Sequence, residues 1–322
     1  MNAYEHLQLV PNSDGSITRL VKLEEIPPTP DLSDPTLVFS KDVTINQSNS
    51  TWARIFLPRQ ALDSPTTFNK LPLLVYVHGG GFILILSPAS RYLHDFCFKM
   101  ASELAVIVVS LEYRLAPEHR LPAAYDDVEE ALHWVKTGGD DWLRVYADYS
   151  KCFLMGSSAG GNIAYHVGLR AAIDDHLEPL KIRGLILHQP FFGGVGRTES
   201  EMRFVNDPIL PLVSNDLMWD LSLPIGVDRD HEYSNPTVGG GCRVLQEMAK
   251  LGWRVLVSAG ECDPLIDRQK EVIKLMKAKG IRVASYIDEE AGHGVEFVKP
   301  SWVMTLINTL KSFVVFEPVT EE

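Results

Sequence analysis

The chain has 322 residues, 45% of them hydrophobic, and a formal net charge of −12 at pH 7. This length allows one large core or two ordinary ones, and we expect one globular domain spanning residues 1–322. The negative charge disfavours nucleic acid and anionic membranes as main partners, because both would repel the surface.

The first residues do not form a basic end followed by an apolar core, as a signal peptide would. No stretch approaches the ~18 apolar residues of a membrane span. We therefore expect a cytoplasmic protein that does not insert into membranes. The four cysteines, Cys97, Cys152, Cys242 and Cys262, lack the spacing of a zinc site or a disulfide framework. We expect free thiols and no bound metal.

Residues 1–35 are expected to form an extended or partly helical arm rather than a core layer. Prolines at positions 27, 28, 30 and 35 accompany weak hydrophobic periodicity in this stretch. The arm also holds more apolar side chains than a solvated tail requires, so we expect these side chains to be buried. They are Leu7, Leu9, Val10, Leu20, Val21, Leu23 and Ile26.

Two segments with β-branched residues and alternation come next, at residues 36–46 and 51–58. The residues between them are typical of a turn. The pattern predicts an antiparallel hairpin towards one edge of a sheet.

From residue 71 the pattern changes to short, continuous apolar runs, which are typical of strands buried on both faces. The runs are residues 73–77, 105–109, 152–155, 185–187 and 255–257. Amphipathic helices are predicted between and after them, at residues 123–136, 162–172, 265–276 and 302–313. This alternation predicts an α/β fold, with a mostly parallel, doubly wound sheet and helices on both faces.

The alternation lapses between residues 191 and 236, where a short helical candidate at 214–221 lies among turn-forming residues. An insertion of this length after a strand end often carries a cap over the substrate. A solvated loop is the alternative interpretation.

The stretch Gly-Ser-Ser-Ala-Gly at 156–160 follows the apolar run 152–155 and precedes a predicted helix. A serine on such a strand-turn-helix elbow is lifted clear of the sheet, in a strained backbone that only small neighbours permit. Ser158 is therefore the candidate nucleophile.

A second glycine-rich stretch, His-Gly-Gly-Gly-Phe at 78–82, follows the apolar run 73–77. It lies at the carboxyl end of a predicted strand, where open α/β sheets place their ligand crevice. Amides of such a loop, together with the amide that follows the nucleophile, can stabilise an oxyanion. We expect the amides of Gly80, Gly81 and Ala159 to form this oxyanion hole.

A serine hydroxyl needs a base and an orienting carboxylate, and the chain order serine, acid, histidine is that of the α/β hydrolases. Asp263 follows the predicted strand 255–257. His293 lies between two glycines after an extended stretch at 282–287. Asp263 and His293 are the candidate acid and base.

Rival acids are near in sequence. Glu261 is one, and Asp267 is another, although Asp267 is expected to cap its helix or to pair with Arg268. His188 precedes the acid in chain order, which argues against it as the base, but it can line the pocket. The candidate substrate contacts are Phe82, Ser157 and His188.

With these motifs assembled, the chain resembles the plant carboxylesterases of the hormone-sensitive-lipase-like branch of the α/β hydrolases. The likeness runs from about residue 42 to residue 313 and includes both glycine-rich stretches, Asp263 and His293. It also includes Tyr-Arg-Leu-Ala-Pro-Glu at 113–118 and Leu-Pro-Ala-Ala-Tyr-Asp-Asp at 121–127. Residues 229–233 and 267–269 are especially similar to plant enzymes related to the kiwifruit carboxylesterase.

The resemblance implies an α/β-hydrolase fold and a serine esterase without a cofactor. It also implies short or aromatic ester substrates, bound beneath a cap formed by the N-terminal arm and an insertion. Two positions depart from the family: Ser157 replaces a commonly acidic residue, and Gly292 stands where relatives often carry a larger side chain. The gibberellin receptors share the fold but lack the catalytic histidine, so His293 argues against a receptor.

We therefore expect a small-molecule carboxylic ester as the partner, hydrolysed through an acyl intermediate on Ser158. Activity should rise through an apparent pKa near ~6.5 to 7, the range of a histidine base. A hormone or ligand receptor on an esterase fold and a non-hydrolytic eliminase or cyclase are the alternatives. The motifs predict neither the physiological substrate nor the oligomeric state, because specificity depends on pocket shape.

Overall fold

The computed structural model describes residues 2–62, 70–238 and 241–315. Its strands are β1 (Leu9–Pro11), β2 (Ile17–Arg19), β3 (Val38–Asn46), β4 (Thr51–Pro58), β5 (Leu71–Val77), β6 (Ile107–Leu111), β7 (Ala147–Ser157), β8 (Ile182–His188), β9 (Arg254–Gly260) and β10 (Arg282–Asp288). Its helices are α1 (Ala3–His6), α2 (Arg91–Leu104), α3 (Ala123–Lys136), α4 (Asp141–Tyr146), α5 (Ala159–Ala171), α6 (Glu199–Arg203), α7 (Leu212–Ser222), α8 (Gly241–Lys250), α9 (Ile266–Ala278), α10 (Val295–Val298) and α11 (Pro300–Val315).

Within the described residues, eight strands form one sheet, in the order β10-β9-β8-β7-β5-β6-β4-β3. The strands from β10 to β6 pair in parallel, whereas β4 is antiparallel to both β6 and β3. Helices connect the parallel strands, because such strands need long crossovers. The α/β fold and the edge hairpin predicted from the sequence are confirmed.

Helices cover both faces of this sheet, and alternate residues of β5 belong to two separate cores. The first core, shared with α3, α5 and α9, takes Leu73, Val75 and Val77. The second core, shared with α2 and α11, takes Leu74 and Tyr76. Successive strand residues point to opposite faces, so a strand covered on both sides is apolar throughout.

The long helices predicted from the sequence lie within three residues of the observed bounds, whereas α2 was missed. Its buried stripe includes Leu93, Phe96 and Met100. β6 begins two residues later than predicted, because Ala105 ends α2 in the left-handed region at φ 52°. Among the described residues, none of the helices combines the length and apolarity needed to cross a membrane.

The arm is folded and tied to the body of the protein. It forms α1 and the antiparallel pair β1 and β2 before running extended to β3. The Arg19 guanidinium donates to the carbonyl oxygens of Ile83 at 2.6 Å and Ala116 at 2.7 Å. It also forms an ion pair with Glu118 at 2.8 Å. The arm therefore has a fixed path over residues 83–118.

The expectation that the apolar residues of the arm are buried was wrong in part. Leu7 and Leu9 are buried, and Ile26 is half-buried. The exposed members are Val10, Leu20, Val21 and Leu23. Adjacent residues of a strand point in opposite directions, so a two-stranded ribbon on a surface buries Leu9 and exposes Val10.

The stretch 191–236 contains α6 and α7. Trp219 of α7 is fully buried, with its ring 4.7 Å from the Phe191 ring and 5.4 Å from the Phe82 ring, measured between centroids. A capping box between Thr198 and Glu201 starts α6. The Phe191 contact lies within the segment, whereas Phe82 belongs to the loop after β5. The segment therefore packs against the body through Trp219, as a solvated loop would not.

Candidate active site

Ser158 lies on a sharp turn between β7, which ends at Ser157, and α5, which begins at Ala159. Its backbone has φ 52° and ψ −117°, a combination that residues with side chains rarely adopt. The Ser158 amide donates to the His188 carbonyl at 2.9 Å. The Ser158 carbonyl accepts from the Phe191 amide at 2.9 Å. These two bonds hold the strained turn between β7 and α5.

The glycines on either side of this turn are required by close packing. A side chain at Gly156 would collide with the carbonyl of Gly160, and one at Gly160 would collide with the carbonyl of Val77. α5 can approach the strands only because both side chains are missing. The N-terminus of α5 consequently lies directly beside Ser158, its N-cap residue, where the helix dipole favours negative charge.

The structure brings Ser158, His293 and Asp263 into one hydrogen-bonded row. Oγ of Ser158 lies 3.0 Å from Nε2 of His293, although the two residues are 135 positions apart. Nδ1 of His293 lies 3.0 Å from Oδ2 of Asp263. The three residues follow β7, β10 and β9, and the carboxyl ends of parallel strands meet at one edge of the sheet.

Asp263 is fully buried, yet its carboxylate has polar partners on both oxygens. Oδ1 accepts from the Leu265 amide at 2.8 Å. Oδ2 accepts from Nε2 of Gln269 at 3.1 Å, in addition to its contact with His293. A buried carboxylate with these partners has a fixed orientation.

The two rival acids are engaged elsewhere. Glu261 forms an ion pair with Lys270 at 2.7 Å. Asp267 accepts from the Ser200 amide at 2.8 Å, at the start of α6. The expectation that Asp267 caps its own helix or pairs with Arg268 is therefore corrected, since its carboxylate bridges α9 to α6.

His293 is 92% buried, with 8% of its surface exposed, and its pKa is set by opposing effects. Burial lowers the pKa, but the charge and hydrogen bond of Asp263 raise it, with further contributions from Glu296 and Asp207. The net effect raises the pKa of His293 above its ordinary value of 6.5. The imidazolium form is thus stabilised, as a proton-accepting base requires.

The glycine loop after β5 faces the same cavity as Ser158. Gly80 and Gly81 have φ of 102° and 58°, which glycine tolerates without strain. The Tyr113 hydroxyl donates to the carbonyl oxygens of His78 at 3.1 Å and Gly79 at 3.0 Å, and so anchors the loop. Tyr113 is the first residue of the Tyr-Arg-Leu-Ala-Pro-Glu motif at 113–118.

A cavity of about 230 Å³ opens above Ser158 and His293. Its walls are mostly apolar and come from the arm, the loop after β5 and the stretch 191–236. Examples of wall residues are Leu7, Leu84, Leu86, Leu210 and Met218. A larger, more open depression of about 750 Å³ lies between β10 and α11, and none of the predicted site residues lines it.

Of the three candidate substrate contacts, Ser157 lines the cavity, whereas Phe82 and His188 do not. Phe82 is buried because its ring packs at an angle against the stacked rings of Phe191 and Trp219. His188 is also buried, with Nδ1 2.8 Å from Oγ of Ser258. Its Nε2 lies 3.2 Å from Oε1 of Glu296. The expectation that Phe82 and His188 contact substrate is therefore corrected to roles inside the protein.

Sequence reasoning missed several polar residues around the site. The Tyr76 hydroxyl donates to Oγ of Ser157 at 3.1 Å, and so gives this residue a partner in place of the family's acid. Glu296 is buried beside His188. Burial raises the pKa of Glu296, but the charge and hydrogen bond of His188, together with a backbone hydrogen bond and the charge of His293, bring the pKa below its ordinary value. A tyrosine on a buried strand and a glutamate on a short helix carry no sequence signal for these contacts.

Comparison with known proteins agrees with this geometry. Residues 74–297 match the family with the α/β hydrolase fold. Carboxylesterase 20 of Arabidopsis thaliana is 53% identical over 317 residues, which cover 97% of this chain and 96% of the relative. A 3-O-acetylpapaveroxine carboxylesterase of Papaver somniferum is 44% identical over 97% of both chains. A solved esterase of Pyrobaculum calidifontis superposes with a TM-score of 0.70 at 27% identity, over 88% of both chains. The chain therefore belongs to the α/β hydrolase family, among its plant carboxylesterases, and is a carboxylic ester hydrolase.

Proposed function

We propose that the protein hydrolyses small carboxylic esters, with short acyl or aromatic groups, through an acyl intermediate on Ser158. His293 acts as general base and then general acid, and Asp263 orients its ring. The main support is the 3.0 Å contact between Oγ of Ser158 and Nε2 of His293. A hydroxyl and an imidazole at this distance can exchange a proton without rearrangement.

The reaction follows from the positions of these atoms. Nε2 of His293 accepts the hydroxyl proton while Oγ of Ser158 bonds to the ester carbonyl carbon. The tetrahedral intermediate collapses as the imidazolium protonates the leaving alcohol, and its C–O bond breaks. Water then attacks the acyl carbon and gives a proton to Nε2, which returns it to Ser158 as the acid leaves. Asp263 keeps the other proton on Nδ1, so that Nε2 remains the free base.

The amides of Gly80, Gly81 and Ala159 are the proposed oxyanion hole. None of these three amides has an acceptor within the described part of the chain. Gly80 and Gly81 also border the cavity that contains Ser158. Fixed donors of this kind stabilise the negative oxygen that develops in the transition state, each by about 10² to 10³ in rate.

The dimensions of the cavity support small substrates. Its volume of about 230 Å³ suits a short acyl chain or one aromatic ring, and its apolar wall offers few partners for a polar acyl group. The Papaver somniferum relative is named for an O-acetyl compound, which supports a short acyl group. Ser157 is the proposed polar contact in this cavity.

Stopped-flow kinetics on p-nitrophenyl esters from acetate to palmitate tests this proposal. We expect a burst of p-nitrophenol equal to the enzyme concentration and the highest kcat/KM for the short esters. A protein that binds the esters without turnover would instead be a receptor. A product lacking the free acid would indicate elimination or cyclisation.

The pH dependence follows from the raised pKa of His293. The base must be neutral to accept the serine proton, so kcat/KM should rise through one apparent pKa above the ordinary value of 6.5. Asp263→Asn removes the charge that raises the pKa of His293. The remaining activity of this variant should therefore follow a pH profile with a lower apparent pKa than that of the wild-type protein. A rate that stays flat down to pH 5 in the wild-type protein would contradict a histidine base.

We also propose that the arm and residues 191–236 act as a cap on a single domain. Leu7 of the arm borders the cavity together with Met218 of α7. Leu7→Ala should raise KM for short esters by roughly tenfold, because binding contact is lost away from the reacting atoms. The matched control is Leu20→Ala, which changes an exposed leucine of the same arm. Equal KM values for both variants would show that the arm does not close the pocket.

The compartment and the partners are proposed on composition. Cys97, Cys152 and Cys262 are free thiols, which suits a reducing cytoplasm, whereas the side chain of Cys242 lies outside the described residues. The net charge of −12 supports the absence of a nucleic-acid partner. Subcellular fractionation tests the location.

A further inference from the structure

Gln189 lies directly after β8 and borders the cavity, and only 2% of its surface is exposed. Its backbone has φ 43°, in the left-handed region that a glutamine rarely adopts. The Gln189 amide donates to the Ser258 carbonyl at 2.7 Å, which ties this conformation to β9. Backbone strain of this kind persists only where the surroundings impose it, and it is concentrated at functional sites.

The side chain of Gln189 binds the backbone on both sides of His293. Nε2 donates to the Gly292 carbonyl at 2.9 Å. Oε1 accepts from the Gly294 amide at 2.7 Å. Only one orientation of the side-chain amide satisfies both bonds, because the carbonyl needs a donor and the amide needs an acceptor.

The loop that carries His293 needs such an attachment. Both neighbours of His293 are glycines, which leave the backbone the widest choice of conformations. Hydrogen bonds from one rigid strand end to both flanking peptides restrict that choice. A base displaced by about 1 Å can lose on the order of 10² in rate.

We infer that Gln189 is a positioning residue that holds the His293 loop, and thereby Nε2, in line with Ser158. The inference rests on the proposed role of His293 as the base. It assigns to Gln189 the task of fixing the histidine backbone, while Asp263 fixes the histidine ring. Gln189 also borders the cavity, but its polar atoms are both used by the loop.

The first test is Gln189→Leu, which keeps the side-chain size and removes both hydrogen bonds. The concentration of active sites is measured by titration with an organophosphate, and kcat is calculated from it, so that unfolded protein does not lower the value. We expect kcat to fall by about 10- to 100-fold with KM changed less than about threefold, since the loss lies in alignment rather than in binding. A kcat within twofold of the wild-type value would overturn the inference.

Gln189→Glu gives a readout that a merely structural role would not produce. A protonated glutamic acid can donate to the Gly292 carbonyl and accept from the Gly294 amide, whereas the carboxylate can only accept. Other titratable groups near this position are His188, Asp263, His293 and Glu296. Burial raises the pKa of such a carboxyl group, so the switch falls within a measurable range.

We expect the rate of Gln189→Glu, divided by the wild-type rate, to be highest at acidic pH and to fall as pH rises. A ratio that does not change with pH would contradict the proposed donor role. This variant also carries the test if Gln189→Leu does not fold.

Two controls separate this inference from the proposed function. Asn46→Ala removes an amide that accepts from the Ser48 and Asn49 amides in the β3–β4 turn, far from the site, and should leave kcat per titrated site unchanged. His293→Ala should be inactive if His293 is the base. An active His293→Ala would refute the proposed function itself. An inactive His293→Ala combined with a fully active Gln189→Leu would refute only the role of Gln189.

Discussion

Ser158→Ala should abolish ester turnover, with a loss on the order of 10⁶ in kcat. Removing the nucleophile from a serine hydrolase costs about this much, because no acyl intermediate can form. The fold should survive, since one hydroxyl is lost and the flanking bonds to Ser158 are made by its backbone. Circular dichroism and thermal unfolding check the fold, and p-nitrophenyl acetate hydrolysis measures the rate.

Ser157→Ala is the matched control, because it removes a neighbouring hydroxyl from the same turn. This variant loses the hydrogen bond from Tyr76 but keeps the nucleophile, so a burst of p-nitrophenol should remain. If Ser158→Ala kept more than a hundredth of the wild-type kcat, another residue would have to be the nucleophile.

Asp263→Asn should lower kcat by about 10⁴, the effect seen when the corresponding acid of serine proteases is replaced by its amide. Oδ2 of Asp263 receives hydrogen bonds from both His293 and Gln269. If the asparagine oxygen takes the place of Oδ2, its NH₂ group takes the place of Oδ1 and faces the Leu265 amide, so that two donors oppose each other. The alternative orientation presents NH₂ to His293, which forces the proton onto Nε2 and removes the free base.

Asp267→Asn is the control for this prediction. Asp267 is only four positions away but accepts from the Ser200 amide, so its replacement should cost less than tenfold in kcat. If Asp267→Asn lowered kcat more than Asp263→Asn, Asp267 would have to be the catalytic acid. A small loss for both variants would leave Glu261 as the candidate.

The elbow and the glycine loop could be found in the sequence because each is constrained locally. A side chain at Gly156 would collide with Gly160 in the same turn, and one at Gly160 would collide with Val77 on the adjacent strand β5. The sequence shows this requirement as two glycines at a fixed spacing around Ser158. Asp263 and His293 could be predicted from the chain order and from their positions after strands. Residues that follow parallel strands lie close together, because the carboxyl ends of these strands meet at one edge of the sheet. The central strands could be predicted from continuous apolar runs, because helices cover both faces of the sheet and bury side chains that point to either face.

The remaining parts of the site depend on contacts between distant residues. The bonds of Gln189 to Gly292 and Gly294 join residues 103 and 105 positions apart, and a glutamine after a strand has no local constraint that predicts them. Phe82 was misjudged for a related reason. Its place in the glycine-rich motif indicates a site residue, but packing with Trp219 decides where its ring lies.

Labelling with diethyl p-nitrophenyl phosphate, followed by peptide mass spectrometry, tests the central claim most directly. An activated serine attacks the phosphorus and releases p-nitrophenol, whereas an ordinary serine does not react at a comparable rate. We expect one p-nitrophenol per chain and one diethyl phosphate group, located on Ser158, with hydrolytic activity lost in proportion. A label on Ser157 or on another residue, or an inactivated protein without a label on Ser158, would contradict the account.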